Sequence, residues 1–292
     1  MYEKIDRCPL CNEGTFQTHV IAKDHLVSKE SFAIVSCTNC GFKFTSPRPT
    51  KNEISNYYQS DEYISHANKS NSLINIAFKI ARAFTVKSKV ALVKKYSKSR
   101  NILDFGCGTG NFLHECAKQN IVSYGLEPDN KAREIADKKK RINVVSNLSL
   151  LPNDIRFDVI TLWHVLEHVH DLTATIEILR KKLIDKGTLI VAVPNVNSWD
   201  AQHYKENWAA YDVPRHLYHF EVSTMTKLMT NQKFKKIAIV PQKLDSFYVS
   251  LLSEKYLEHK NKFLKAINNG LKSNRNAEQN NMYSSLIYIF SK

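Results

Sequence analysis

Residues 100–110 read Arg-Asn-Ile-Leu-Asp-Phe-Gly-Cys-Gly-Thr-Gly, and this stretch decides the fold. An apolar strand carrying Ile102 and Leu103 runs into Asp104 and then into Gly106, Gly108 and Gly110, and a helix-compatible run from Asn111 to Gln119 follows. Strand, glycine turn and helix in that order form a cradle for a nucleotide-type cofactor, because glycines let backbone N–H groups approach a ligand closely. The spacing is D-x-G-x-G-x-G and departs from the dinucleotide pattern G-x-G-x-x-G. A second acid, Glu127, lies in Ser-Tyr-Gly-Leu-Glu-Pro-Asp at residues 123–129. It stands about 20 residues past the loop, where a doubly wound fold places a carboxylate on ribose hydroxyls. That device serves any adenosine cofactor and does not by itself separate one from another.

Around this centre the chain alternates. Strands are expected near 101–105, 122–127, 142–146, 157–163 and 188–193, with later strands at 236–240 and 284–290. Helices are expected near 111–119, 129–140 and 171–184, with Asp129 as an N-cap and Gly187 as a C-terminal stop. This alternation predicts an α/β protein with a doubly wound, mostly parallel sheet. Residues 51–98 read as helical from apolar spacing at Ile54, Tyr57, Tyr58, Leu73, Ile74, Ala77, Phe78, Ala81 and Phe84. Residues 99–292 would then hold the cofactor domain, interrupted at about 243–283 by an insertion whose segment Leu251 to Leu271 also reads as helical.

The first 50 residues are of another kind. Cys8-Pro-Leu-Cys11 and Cys37-Thr-Asn-Cys40-Gly41 are two C-x-x-C knuckles about two dozen residues apart, the pattern of a tetrahedral Cys₄ zinc ribbon. So small a segment has little core of its own, and a metal would supply its folding energy. Its strands are expected at Thr15 to Ala22, Phe32 to Ser36 and Phe42 to Thr45, closed by the stiff linker Ser46-Pro47-Arg48-Pro49. The remaining cysteines, Cys107 and Cys116, need no chemical role.

The whole chain has 292 residues, 43% hydrophobic and 24% charged, enough to bury a full α/β core. It shows no apolar run of about 18 residues, so no membrane span is expected. The N-terminus lacks the apolar core of a signal peptide, and a cytoplasmic location is expected. The net charge of +14 favours anionic partners. Its clusters, Lys94, Lys95, Lys98 and Arg100, then Lys138 to Arg141, read as solvated helix ends rather than as a continuous nucleic-acid stripe.

The D-x-G-x-G-x-G loop resembles motif I of the class I S-adenosylmethionine (SAM) methyltransferases, and Leu166-Glu167-His168-Val169 resembles a segment of many small-molecule methyltransferases, including ubiquinone-pathway O-methyltransferases. The run Trp208, then Tyr211-Asp-Val-Pro-Arg215-His216-Leu-Tyr218-His219-Phe220, resembles a bacterial group of methyltransferases among saccharide and surface-polymer modification enzymes. The resemblance extends over nearly the whole chain, cysteine knuckles included. It implies a Rossmann-like, seven-stranded sheet ending in an antiparallel hairpin. It implies SAM contacts at Asp104, Phe105, Gly106, Cys107, Gly108, Gly110, Glu127, Pro128, Asn147, Leu148 and His164, and a helical lid whose Tyr58, Tyr63 and His66 face cofactor or substrate. An acid near a cationic sulfonium is electrostatically apt. Insertions near the hairpin often shape the acceptor pocket in similar enzymes. Some relatives bind a divalent ion at E-x-x-E-H; here the pattern is H-x-x-E-H, with His164, Glu167 and His168.

The expected reaction is methyl transfer to a small-molecule or saccharide acceptor, at oxygen, with a histidine as general base: His216 first, then His164, with Tyr211 beside them. The alternatives are an RNA methyltransferase that docks through the zinc module and basic surface, a non-catalytic SAM-binding or zinc-mediated scaffold, and, more distantly, an NAD-dependent reductase.

Overall fold

The structure, a computed structural model, describes residues 1–58, 73–98 and 100–292, with side chains of the first long helix described from residue 83 onward. Tyr63 and His66 of the expected lid lie outside the described residues.

The N-terminal segment folds into β1 (Tyr2–Glu3), β2 (Phe16–Lys23), β3 (Ser31–Cys37), β4 (Lys43–Thr45) and β5 (Arg48–Pro49). Strands β2, β3 and β4 form an antiparallel meander, and β1 pairs with β5. A short 3₁₀ turn at Ile54–Tyr58 precedes α1 (Leu73–Tyr96). The alternating part then runs β6 (Asn101–Phe105), α2 (Asn111–Lys118), β7 (Val122–Leu126), α3 (Asn130–Asp137), β8 (Ile142–Val145), β9 (Phe157–Trp163), α4 (Leu172–Lys182) and β10 (Leu183–Pro194). It continues through α5 (Trp199–Tyr204), β11 (Tyr218–His219), α6 (Val222–Asn231), β12 (Lys235–Pro241), α7 (Asp245–Tyr256), α8 (Lys262–Asn280) and β13 (Ser285–Ser291).

Seven of these strands make one sheet in the order β12-β13-β10-β9-β6-β7-β8. Pairing is parallel from β10 to β8 and antiparallel where β13 meets β10 and β12. This is the doubly wound, Rossmann-like sheet with a terminal hairpin. Leu189 to Val193 of β10 are all buried, as a strand covered on both faces requires. Strand β6 has β7 on one side and β9 on the other, so the strand order reverses there. In open α/β sheets ligands bind beyond the carboxyl ends of the strands at such a point.

Local chemistry accounts for the element ends. Asp129 accepts the Ala132 N–H at 2.7 Å and caps α3. Gly187 does not stop α4: that helix ends at Lys182, and Leu183 is already extended and paired with Phe157 of β9. The left-handed residue is Lys186, at φ 62°, inside the irregularity between Leu183 and Thr188. The insertion is filled by α7 and α8, which pack closely enough that a Cβ on Gly270 would sit 2.5 Å from the Phe247 ring. Among the described residues no helix is long and apolar enough to cross a membrane.

The N-terminal meander is not a separate body. Strand β11, from the histidine-rich loop after β10, adds antiparallel to β4, with Tyr218 opposite Phe44 and His219 opposite Lys43. Phe42 is fully buried; its ring stacks on Tyr218 at 5.8 Å and lies 5.8 Å from Phe220. Phe42 and Phe44 share one apolar cluster with Leu162 of β9 and Leu189 and Val191 of β10. Phe42→Ala should therefore cost about 3–5 kcal/mol of stability for the whole chain, whereas Ile21→Ala, at a 60% exposed position, should fall within about 0.5 kcal/mol. Denaturant unfolding checks this; a separate early transition for the N-terminal segment, with the remainder unaffected by Phe42→Ala, would contradict a shared core.

Candidate functional site

The glycine loop follows β6 directly. Gly106 has φ 76°, and a Cβ there would lie 2.6 Å from Val165 Cγ2; Gly110 has φ 71°, and its Cβ would meet Ile142 at 2.9 Å. Both positions need glycine for backbone shape and for space. The contact with Val165 also brings the segment after β9 against the loop. Phe105 is half-buried, and Cys107 is buried with its thiol pushed up, out of the reactive range, by burial and by Asp104 and Glu127.

Two acids stand at this edge. Asp104, at the end of β6, is buried and accepts the Thr161 hydroxyl of β9 at 2.6 Å. Burial raises its pKa to about 7 against the lowering effects of Thr161 and the Lys89 ammonium. Glu127 follows β7 and reaches across the loop, one oxygen accepting Gly108 N–H at 2.8 Å and the other Asp129 N–H at 2.9 Å. Burial raises its pKa too. Pro128 and Asn147 are exposed at the same edge, Leu148 half-buried; the Asn147 side chain caps a short turn by accepting Ser149 N–H at 3.0 Å.

Beyond β9 the chain turns sharply. His164 adopts φ 58°, an uncommon left-handed conformation for a non-glycine residue, and a 3₁₀ turn at Leu166–His168 follows. His164 lies between two carboxylates: its Nε2 is 3.1 Å from Asp245 Oδ2 of α7, and its Nδ1 is 3.5 Å from Glu167 Oε1. Burial favours its neutral form, but the two acids outweigh it and raise its pKa to about 10. Glu167 is wholly buried, and neither carboxylate oxygen has a hydrogen-bond partner among the described residues. An acid held in that way is costly unless cations or ligands compensate it. Burial opposes its ionisation, and the surrounding histidines keep its pKa below the usual range.

His168 and His216 close this pocket. Their rings pack edge to face, 4.6 Å between centroids. His168 Nδ1 lies 3.0 Å from the Arg215 carbonyl and 2.9 Å from the Tyr58 hydroxyl. His216 Nδ1 lies 2.9 Å from the Ala210 carbonyl. A carbonyl only accepts, so each Nδ1 carries the proton and each Nε2 presents its lone pair when the ring is neutral. Burial, then the neighbouring His216, lower the His168 pKa to about 4. His216 Nε2 lies 4.0 Å from Glu167 Oε1 and 3.9 Å from Asp212 Oδ2. With Pro194, Trp208 and His219 it also lines a narrow crevice.

Arg215 fixes the loop that carries His216. It is 1% exposed; its Nη2 donates to Asp24 Oδ1 at 2.9 Å and to Asp212 Oδ1 at 2.8 Å, and its Nη1 to the Tyr57 carbonyl at 2.9 Å. Asp24 belongs to the N-terminal module and also accepts the backbone N–H groups of Leu26, Val27 and Ser28. Tyr211 is buried with its hydroxyl 3.3 Å from His19 Nε2, so its polar end points at the module. Burial lifts its pKa to about 12. The four module thiols converge, with Cys8 and Cys40 sulfurs 3.6 Å apart and Cys11 and Cys37 sulfurs 3.5 Å apart. Tetrahedral zinc at about 2.3 Å from each sulfur needs separations near 3.8 Å, so the cluster fits the ion.

Sequence spacing gave no sign of Asp24, Asp245 or Lys89 at this site. Lys89 projects from α1 over the Trp163 ring, 4.4 Å from its centre, and burial lowers its pKa against the pull of Asp104 and Asp245. The Tyr58 hydroxyl, expected to face cofactor or substrate, lies 2.9 Å from His168 Nδ1.

Comparison with known proteins agrees with this geometry. Residues 79–239, more than half of the chain, match the sequence profile of a methyltransferase domain. An uncharacterised protein of Methanocaldococcus jannaschii is 30% identical over 146 residues, which are 49% of this chain and 63% of that protein. A ubiquinone biosynthesis O-methyltransferase of Pelagibacter ubique is 27% identical over 113 residues, 37% of this chain and 47% of its own length. The matched segment thus spans between about half and two thirds of these relatives. Among solved structures, the magnesium protoporphyrin IX methyltransferase of Synechocystis PCC 6803 with bound SAH superposes with a TM-score of 0.53 at 14% identity, covering 82% of this chain and 98% of that one. The chain belongs to the methyltransferase-domain family and has the fold of its class I members.

Proposed function

We propose that the protein is a SAM-dependent methyltransferase acting on oxygen of a small-molecule or saccharide acceptor. The observation that carries this reading is the adjacency of two features at the switch point of the sheet. A glycine loop with its ribose-type acid, Glu127, lies against a buried pocket of histidines and carboxylates at the end of β9. The O-methyltransferase name of the Pelagibacter ubique relative supports oxygen as the acceptor atom.

In this reading Asp104 and Glu127 hold the methionine and ribose ends of SAM, with Phe105, Cys107, Pro128, Asn147 and Leu148 lining its bed. The acceptor oxygen attacks the sulfonium methyl in line; the C–O bond forms as the S–C bond breaks, and SAH leaves as a neutral thioether. Alignment supplies much of the rate. The acceptor proton leaves at His216, whose Nε2 lone pair faces the pocket while Glu167, 4.0 Å away, stabilises positive charge gathering on the ring. His164 is the less favoured base, because Asp245 and Glu167 raise its pKa to about 10. Tyr211 serves by packing the loop.

The zinc module is proposed as a scaffold of the pocket, with Cys8, Cys11, Cys37 and Cys40 holding the ion in a reducing, cytoplasmic setting. Its β4 edge is taken up by β11 and its aromatic face by the shared core.

Three outcomes follow. His216→Ala should keep SAH affinity and lose about 10²–10⁴-fold in turnover; unchanged turnover in a methyl-transfer assay would remove His216 from the chemistry. One zinc per chain should be released by a thiol-modifying reagent, and Cys37→Ser should abolish that release; the absence of thiol-bound metal in chelator-free protein would contradict the module's assignment. Asp104 is partly protonated near pH 7, and a bound sulfonium lowers its pKa, so binding expels a proton. SAM affinity measured by calorimetry should therefore strengthen from about pH 6 and level off above about pH 8, with the slope lost in Asp104→Asn; a flat profile in the parent protein would contradict contact between Asp104 and the cofactor.

A further inference from the structure

Glu167, His168 and His216 have an arrangement that a general base alone does not require. One donor atom from each lies within 4.8 Å of the other two. Both imidazoles are locked, through Nδ1–H donated to the carbonyls of Arg215 and Ala210, with Nε2 as the free nitrogen. Histidine metal ligands are oriented in this way: the far ring nitrogen is tied to a carbonyl and the near one is left to ligate. The third donor is the fully buried Glu167 carboxylate, whose two oxygens have no hydrogen-bond partner among the described residues. His164 stands 3.5 Å from Oε1, and among the described residues no basic group pairs with Oε2. The ties on the loop hold His216 in place: Arg215, one residue earlier, is anchored by Asp24 and Asp212.

We propose that Glu167, His168 and His216 form a binding site for a divalent transition-metal ion, separate from the four thiols of the N-terminal module. Two imidazole nitrogens and one carboxylate suit zinc, cobalt, manganese or iron better than magnesium. Donor atoms about 2.0–2.2 Å from a common ion lie roughly 3–4 Å apart, so side-chain shifts of under about 1 Å close the set. Three protein ligands leave coordination positions for an acceptor oxygen, and the ion would make a bound hydroxyl more acidic. His164 is not counted among the ligands; its Nε2 is taken up by Asp245 Oδ2 at 3.1 Å. The inference rests on the placement of acceptor chemistry in this pocket and refines it: in the metal-loaded protein His216 works as a ligand, and in the metal-free pocket it is the imidazole base.

The test uses full-length protein with its thiol-bound ion in place. Cobalt(II) chloride is titrated while calorimetry and visible absorption are followed. The expected result is one further equivalent of Co²⁺ per chain, with ligand-field bands and no new thiolate charge-transfer band. His168→Gln and Glu167→Gln should each weaken it at least about tenfold while SAH affinity, as the folding control, is retained. His168 separates this proposal from the base reading, since a base at His216 needs no free nitrogen on His168. The absence of a further equivalent, or uptake unchanged in both variants, overturns the metal site and leaves the base reading standing. Uptake lost in the variants supports the site even where methyl transfer to oxygen is not found.

Discussion

The buried guanidinium of Arg215 joins parts of the chain that sequence keeps far apart. It binds Asp24 in the N-terminal module, Asp212 in its own loop and the carbonyl of Tyr57 in the segment between them. A fully buried arginine is tolerated only when its donors are met by acids and carbonyls in good geometry, and removing one partner of such a set leaves an uncompensated charge. The loop after β10 is long and mostly irregular, yet His216 must face a pocket at the end of β9. The Arg215 cluster, the Thr45 hydroxyl donating to the His216 carbonyl at 2.8 Å, and the addition of β11 to β4 together remove its freedom. The N-terminal module is thus part of the wall of the pocket.

The other half of the site comes from the sheet. Strand order reverses at β6, and both the glycine loop and the turn after β9 leave from that point. Val165 packs on Gly106, so the cofactor bed and the histidine pocket share a wall. Charge follows the same division. Asp104 and Glu127 have raised pKa values on the cofactor side, whereas Glu167, Asp212 and Asp245 are held ionised on the pocket side by histidines and Arg215. A pocket that lowers the pKa of its acids and raises that of one histidine is suited to gathering and directing a proton or a cation.

The legible part of the sequence was the part whose signals are short in range. The glycine spacing, Glu127, the Asp129 cap and the paired cysteines are each read within about 20 residues, and the alternation of strands and helices gave the sheet. Gly187 misled because a glycine near a helix end looks like a stop, while the pairing of Leu183 with Phe157 decided where β10 began. The pocket was legible only in pieces. His164, Glu167, His168 and His216 were visible as chemistry-bearing types. Their roles depend on Asp245, 81 positions from His164, and on Asp24, 191 positions from Arg215, and no spacing rule connects such pairs. His164 shows the consequence most plainly: beside the expected methyl donor it reads as a base, and in the fold two carboxylates flank it and raise its pKa.

The central claim is that the glycine loop of β6 and Glu127 bind an adenosyl sulfonium cofactor rather than a dinucleotide. Calorimetric titration of the full-length protein with S-adenosylhomocysteine, with NAD as the control ligand, tests it most directly. The account predicts stoichiometric binding of the former and no response to the latter. Saturation by NAD, with S-adenosylhomocysteine silent, would contradict the reading of the loop and the chemistry built on it.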